Sequence, residues 1–250
     1  MKAFSKITAV ALVFVFALGC LISCNTGGGK VESYTANVST TFSSTDPAMA
    51  EAIAALNVSN TTISVWGDNI AISSSAQIGD VSMDKTYTLA DDVLYSDTKL
   101  VAEGKTVSDM KKAPFDSANR AELIAKVGAG ASLDVDDFNK VNVAEIASLE
   151  CYTCSNIKDD AKASLTAIFA AKLDEVATVA LSDAEYYVEM SEGKVQSYIL
   201  NACFEVSIGD TSFDVNMTIE CEYNYKSGAK VTAPANAADF DESTCEDIIG

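Results

Sequence analysis

The stretch Phe213-Asp-Val-Asn-Met-Thr-Ile-Glu-Cys-Glu-Tyr-Asn-Tyr225 alternates without a break. Phe213, Val215, Met217, Ile219, Cys221, Tyr223 and Tyr225 fall on one side of the chain. Asp214, Asn216, Thr218, Glu220, Glu222 and Asn224 fall on the other. A two-residue repeat is the side-chain period of a β-strand, so this segment is a strand with one dry face and one wet face. Just upstream, Leu200, Ala202, Phe204 and Val206 repeat in the same way within a strand from about Val195 to Ile208, and Gly209-Asp210 turns the chain between them. Together they make a long antiparallel hairpin. Its phasing sets Cys203 on the wet face and Cys221 on the dry one, which excludes a disulfide between them.

The same period recurs outward from the hairpin. Tyr34, Ala36, Val38, Thr40 and Phe42 share one face of a strand near the start. Short strands follow around Ile63 and Val65, Ile70 and Ile72, Val81 to Leu89, and Val93 to Tyr95, with turns at Gly67-Asp68-Asn69 and Gly79-Asp80. Strands return near Val176, where Tyr186, Val188 and Met190 lead to the turn Glu192-Gly193.

Helical signals occupy the space between. Asp46-Pro47 opens a short helix carrying Met49, Ile53 and Leu56, since aspartate caps helix starts and proline fits the first turn. Asn119 and Glu122 form a capping-box pattern ahead of Leu123, Ile124 and Val127. Phe138, Val141 and Ile146 predict a second helix in this region. Asn156 with Asp159 and Asp160 predicts a third, whose apolar stripe is Ile157, Ala161, Leu165, Ile168 and Phe169. Strands, then helices, then strands predict an α+β fold, an antiparallel sheet burying its apolar face under helices. No linker or internal repeat divides residues 31–250, which read as one domain.

The first residues carry a different kind of signal. Lys2 and Lys6 precede an apolar run from Ile7 to Leu18, which ends at Leu21-Ile22-Ser23-Cys24. This resembles the lipobox of bacterial lipoprotein signals. The resemblance implies cleavage after residue 23 and acylation of Cys24, with the folded part on the extracytoplasmic face of the cell envelope. Cys20, after Ala17-Leu18-Gly19, is the rival site. Cys24 is preferred because Asn25-Thr26-Gly27-Gly28-Gly29-Lys30 reads as a flexible tether, residues 24–30. Two or three acyl chains anchor stably where one is marginal.

Charge and composition remove whole classes of function. The chain has 17 Lys and Arg against 36 Asp and Glu, a net charge of −19. Without Lys2 and Lys6 the balance is 15 minus 36, or −21. So acidic a surface excludes nucleic acid as a partner and is repelled by anionic headgroups, leaving the lipid as the membrane contact. There are no histidines, which excludes Ser-His-Asp and Cys-His catalysis and histidine metal sites. No cofactor, catalytic residue or metal site is expected. Asp134-x-Asp136-Asp137 with Glu145 has part of a calcium-loop pattern, but Phe138 and Asn139 stand where a ligand and a glycine are needed. An acidic helix start explains those aspartates better. Cys151-Tyr-Thr-Cys154 has redox or half-zinc spacing without a second CxxC. It reads as a pair of small packing residues or a tight local disulfide.

The order of elements resembles lipoproteins of the Lol-type carrier and mycobacterial lipid-binding superfamily. The segment Ala184-Glu-Tyr-Tyr-Val-Glu-Met-Ser-Glu-Gly-Lys-Val195 is similar to the strand-turn-strand opening that family's final meander. Tyr223-Asn-Tyr-Lys-Ser-Gly-Ala-Lys-Val-Thr-Ala-Pro234 is similar to its closing strand. The resemblance implies a strongly curved half-barrel with helices over its concave apolar face, and an acyl-chain cavity between the two. The residues that would line it are Phe204, Val206, Phe213, Val215, Met217, Ile219 and Tyr223 of the hairpin, with Leu165, Ile168 and Phe169 of the helix. The implied function is a lipid-anchored carrier of a lipid-like ligand. The other reading of these residues is a filled core, which leaves a surface interaction or adhesion lipoprotein with a protein partner; Trp66, beside Gly67, would be a candidate anchor for it.

Overall fold

A computed structural model describes residues 33–47, 49–50, 59–78, 80–115, 133–170, 177–225 and 230–249. Of these described residues, 68% lie in strands. All the described strands belong to one sheet. In chain order they are β1 (Ser33–Ser43), β2 (Ser59–Trp66), β3 (Asn69–Ile78), β4 (Val81–Ala90), β5 (Val93–Ala102) and β6 (Lys105–Pro114). The second half holds β7 (Phe138–Ile146), β8 (Leu149–Ile157), β9 (Ala177–Ser191), β10 (Lys194–Ile208), β11 (Thr211–Asn224) and the short β12 (Asp241–Glu242). Two α-helices are assigned among the described residues, α1 (Asp159–Ala170) and α2 (Cys245–Ile249).

The spatial order is β12-β6-β5-β4-β3-β2-β1-β11-β10-β9-β8-β7. Two meanders, β2 to β6 and β7 to β11, flank the first strand. Every pair is antiparallel except β12 with β6. Tight turns make this possible. Asp91-Asp92, Glu103-Gly104, Ala147-Ser148 and Glu192-Gly193 all have positive φ, the pairing that two-residue hairpins with right-handed twist require.

The expected α+β architecture, with helices covering a concave apolar face, is therefore corrected to a nearly all-β sheet. The largest change is at Phe138–Ile146, expected as a helix and found as strand β7. Its apolar residues do not alternate because the strand is exposed along almost its whole length, which leaves the two-residue period without a buried face to mark it. The helix expected from Asn156 starts at Asp159 instead, and Ile157 closes β8. Asn156 adopts φ 61 at the end of β8, a conformation asparagine tolerates better than most residues. Asp46 does accept the first helical bonds, from the amides of Met49 and Ala50 at 3.1 and 2.8 Å. Ile53, Leu56 and the helix expected around residues 119–127 lie outside the described residues.

The strands read from alternation are where they were expected. In β1, Tyr34, Ala36, Val38, Thr40 and Phe42 are all buried. In β11 the seven-residue dry row is buried from Phe213 to Tyr223. The main core joins the dry faces of β1, β2 and β8 to β11 with α1. A smaller core of Leu89, Leu94, Ala113 and Phe115 is closed by Ile248 of α2. The C-terminal segment ties itself there: Asn69 donates to the Val231 carbonyl at 3.0 Å, Tyr87 to the Ile248 carbonyl at 3.2 Å, and Phe240 packs edge-on to Tyr95.

Candidate functional site

The wet face of the central strands is organised as cross-strand rows. One row runs Cys151, Glu189, Ser197, Glu222, Asn37, Thr62, Ser73, Thr86, Asp97 across nine strands. The next runs Thr153, Tyr187, Ile199, Glu220, Ser39, Asn60, Ser75, Asp84, Lys99. Directly opposed residues sit close enough for their side chains to interact. Ser197 donates to Glu189 at 2.6 Å, Thr62 to the Asn37 amide oxygen at 3.3 Å, and Thr218 to that of Asn201 at 2.8 Å. The Ser73 and Thr86 hydroxyls share a bond of 3.1 Å.

A groove of about 850 Å³ lies on this face, across β1, β2, β9, β10 and β11. Its outward-pointing lining includes Asn37, Asn60, Thr62, Glu189, Glu220 and Glu222. Among its described lining residues there is no lysine or arginine. Ile199, 39% exposed, is the apolar member of the lining on this face. Beside it in the row, Tyr187 donates to Glu185 at 2.8 Å, and that bond holds its hydroxyl above the ordinary tyrosine range. Trp66 ends β2 on the same face, 41% exposed. The groove can therefore offer many hydrogen-bonding groups and negative charge, with small apolar and aromatic contacts at hand.

The residues expected to line a ligand cavity are on the opposite, dry face. Phe204, Val206, Phe213, Val215, Met217, Ile219, Tyr223, Leu165 and Phe169 are all buried in one core. Phe169 lies flat on Phe204, with ring centroids 4.1 Å apart, and also meets Phe42 at 6.4 Å. Nothing is described of the Ile168 side chain, though the residue belongs to α1. The helix and the hairpin are thus brought together, as packed neighbours.

The CxxC pair sits on strand β8. A separation of three along a strand puts the two thiols on opposite faces and their Cα atoms about 10 Å apart, too far for a disulfide. Cys154 is fully buried, and that burial, with Asp134 nearby, raises its thiol above the ordinary value. Cys151 lies in the wet row beside Glu189. The tight local disulfide is thus excluded, and of the pair only Cys154 packs in the core; Cys151 is partly exposed. Cys203 faces Asn216 on the wet side while Cys221 is buried opposite Tyr198, as the hairpin phasing required.

Asp134 caps a single 3-10 turn, Val135–Asp137, in a reciprocal capping box with Asp137. The aspartates are thus committed to a helical start, and among the described residues no group of acidic or cysteine side chains is arranged to hold a metal. Cys24 lies outside the described residues. Among those described, no helix is long and apolar enough to cross a membrane.

No protein-family profile and no curated protein matches this chain. Solved structures align over most of it at low similarity. The dehydratase domain of the polyketide PpsC from Mycobacterium tuberculosis covers 87% of this chain and 83% of its own, at 8% identity and a TM-score of 0.17. The CurJ dehydratase gives 7% identity, 87% and 82% coverage and a TM-score of 0.15. Such scores establish neither a shared fold nor a shared chemistry.

Proposed function

We infer that this chain is an extracytoplasmic lipoprotein, held to a membrane by lipid on Cys24, that engages a protein partner through the wet face of its sheet. The observation that carries the reading is the groove of about 850 Å³ on that face, set against a dry face whose described candidate lining residues pack on one another. The exposed Trp66 and Ile199 on the same side supply the apolar contacts such an interface uses. The groove's carboxylates favour a partner presenting lysine or arginine. The chain lacks histidine, and a binding role needs none.

The geometry of attachment is consistent with this. From Cys24 to Ser33 there are 33 − 24 = 9 steps of chain. Fully extended they reach about 30 Å, which keeps the acidic sheet near the membrane without pressing on it.

The test uses the protein in its own membrane. A photo-crosslinking residue at Glu222 or Thr62 should trap a discrete protein, and one at Asp241, at the far edge of the sheet, should not. Solvent extraction of the purified chain should release no lipid, the acyl chains of the N-terminal cysteine coming off only on hydrolysis of their ester and amide bonds. A stoichiometric non-covalent lipid, or equal crosslinking from all three positions, would overturn the reading.

A further inference from the structure

The sheet has two edges, and the chain treats them differently. At one, β6 is covered by its own C-terminal segment. Asp241 and Glu242 pair with Lys111 and Lys112, and the Ser243 amide donates to the Lys112 carbonyl at 2.8 Å. Lys112 also holds Glu242 at 3.3 Å and the Ala237 carbonyl at 3.2 Å. At the other edge, β7 pairs with β8 and, among the described residues, with nothing else. From Asn139 to Ile146 every residue is exposed. Val141 is 40%, Val143 61% and Ile146 60% exposed.

The hydrogen-bond phase of this edge follows from its turn. Ala147 and Ser148 have φ of 52° and 70°, a two-residue turn, so Ile146 and Leu149 form the bonded pair that flanks it. Bonded and non-bonded pairs alternate along an antiparallel ladder. Residues 140, 142 and 144 therefore bond to β8, and the N–H and C=O groups of Val141, Val143 and Glu145 point outward. An exposed row of this kind is a template for another strand.

Side chains and charge specify the occupant. Val141 is opposite Cys154 and Val143 opposite Tyr152, both on the dry face. Glu145 is opposite Glu150, a like-charge pair in which both residues are exposed. Directly opposed like charges destabilise a sheet, and a cation on an added strand would relieve this one. We propose that the β7 edge binds an extended segment of a partner polypeptide, apolar at the two positions facing Val141 and Val143 and basic at the position facing Glu145. A second copy of this chain fits poorly. Two β7 strands that keep their dry faces on one side pair residues whose numbers sum to an even value, so Lys140 never meets Glu145, and each chain brings a charge of −19.

The probe is the peptide acetyl-Lys-Thr-Val-Thr-Val-Thr-amide, added to the full chain and followed by hydrogen exchange amide by amide. At ninefold its dissociation constant it should slow the amides of Val141, Val143 and Glu145 about tenfold, by mass action. The same peptide N-methylated at both valines should protect none of them. The version with glutamate for lysine should bind about fivefold more weakly, the scale of one exposed ion pair. Val143→Pro removes only an outward N–H, so it should abolish protection while β7 stays paired with β8. Val143→Lys, which keeps every amide, should weaken the lysine peptide and provides the test if the proline variant does not fold. Unchanged exchange with the lysine peptide would overturn the proposal. So would equal binding of the N-methylated peptide, or a dimer in sedimentation that Val143→Pro dissociates.

Discussion

Phe169 of α1 lies parallel to Phe204 of β10, with their planes 9° apart and their centroids 4.1 Å apart. This contact joins the one long described helix to the centre of the sheet, and both rings are nearly inaccessible to solvent. Phe204→Ala should cost about 3–5 kcal/mol, because a large buried ring leaves a cavity the rigid sheet cannot close. Phe169→Ala should cost a similar amount. A double-mutant cycle in urea unfolding should give a coupling of about 0.5–1.5 kcal/mol for the stacked pair. A coupling near zero would show that helix and sheet are not packed as described.

Thr61 and Ser74 sit opposite each other on the dry face and share a hydrogen bond of 2.5 Å in a buried setting. Thr61→Val should cost about 1–3 kcal/mol, since it strands the Ser74 hydroxyl. Adding Ser74→Ala should recover part of that loss. Chemical denaturation of the three variants checks both statements.

Tyr87 packs partly against both cores, donates to the Ile248 carbonyl and carries Lys85 over its ring at 4.5 Å. Burial pushes its hydroxyl up to about 12. Raising a folded-state value means the folded chain keeps its proton after the unfolded chain has lost it. The contribution is complete below about pH 10 and is lost as pH rises toward 12, at most about 2–3 kcal/mol. Unfolding measured from pH 9 to 12 should therefore show wild type losing more stability than Tyr87→Phe over that window.

Ala147 and Ser148 adopt φ of 52° and 70°, a region that L-residues with a β-carbon enter at a cost. The pair Ala147→Asn with Ser148→Gly suits the same turn and should stabilise the chain by about 1 kcal/mol. A fall in the thermal midpoint would show that this turn is not of the two-residue type.

The cysteines of β8 should differ sharply in reactivity. Cys154 is buried with a raised thiol value, while Cys151 is partly exposed on the wet face. A thiol reagent should label Cys151 in the native chain and reach Cys154 only on unfolding. Oxidation should leave the two unlinked in the monomer, as a mass measurement would show.

The parts of this fold that could be read from sequence are those with a strict dry and wet face. β1 and the β10–β11 hairpin alternate because one side of each is buried along its length. The turns at Glu192-Gly193 and Gly209-Asp210 announce themselves by glycine. β7 is exposed on both sides, so Phe138, Val141 and Ile146 fall at a spacing that imitates a helix. The wet-face groove was not legible either. Asn37, Thr62, Glu189 and Glu222 stand in one row only because five strands pair in a particular register, and no local pattern encodes that. Of the dry-face residues expected to line a cavity, all but Ile168 are described and lie buried in one core, where Phe169 stacks on Phe204.

The place of β1 in the sheet bears on how the chain acquires its structure. β1 pairs on one side with β2 and on the other with β11, where Phe42 meets Met217, 217 − 42 = 175 residues later. A chain is synthesised from its N-terminus, so the eleven residues of β1 wait with one side unsatisfied until most of the protein has been made. Closing so long a loop is entropically slow, and an unpaired edge invites association in the meantime. The rate-limiting step of maturation should then be the zippering of two preformed meanders along β1. The interval before it closes is when the polypeptide is most open to association and most depends on a chaperone.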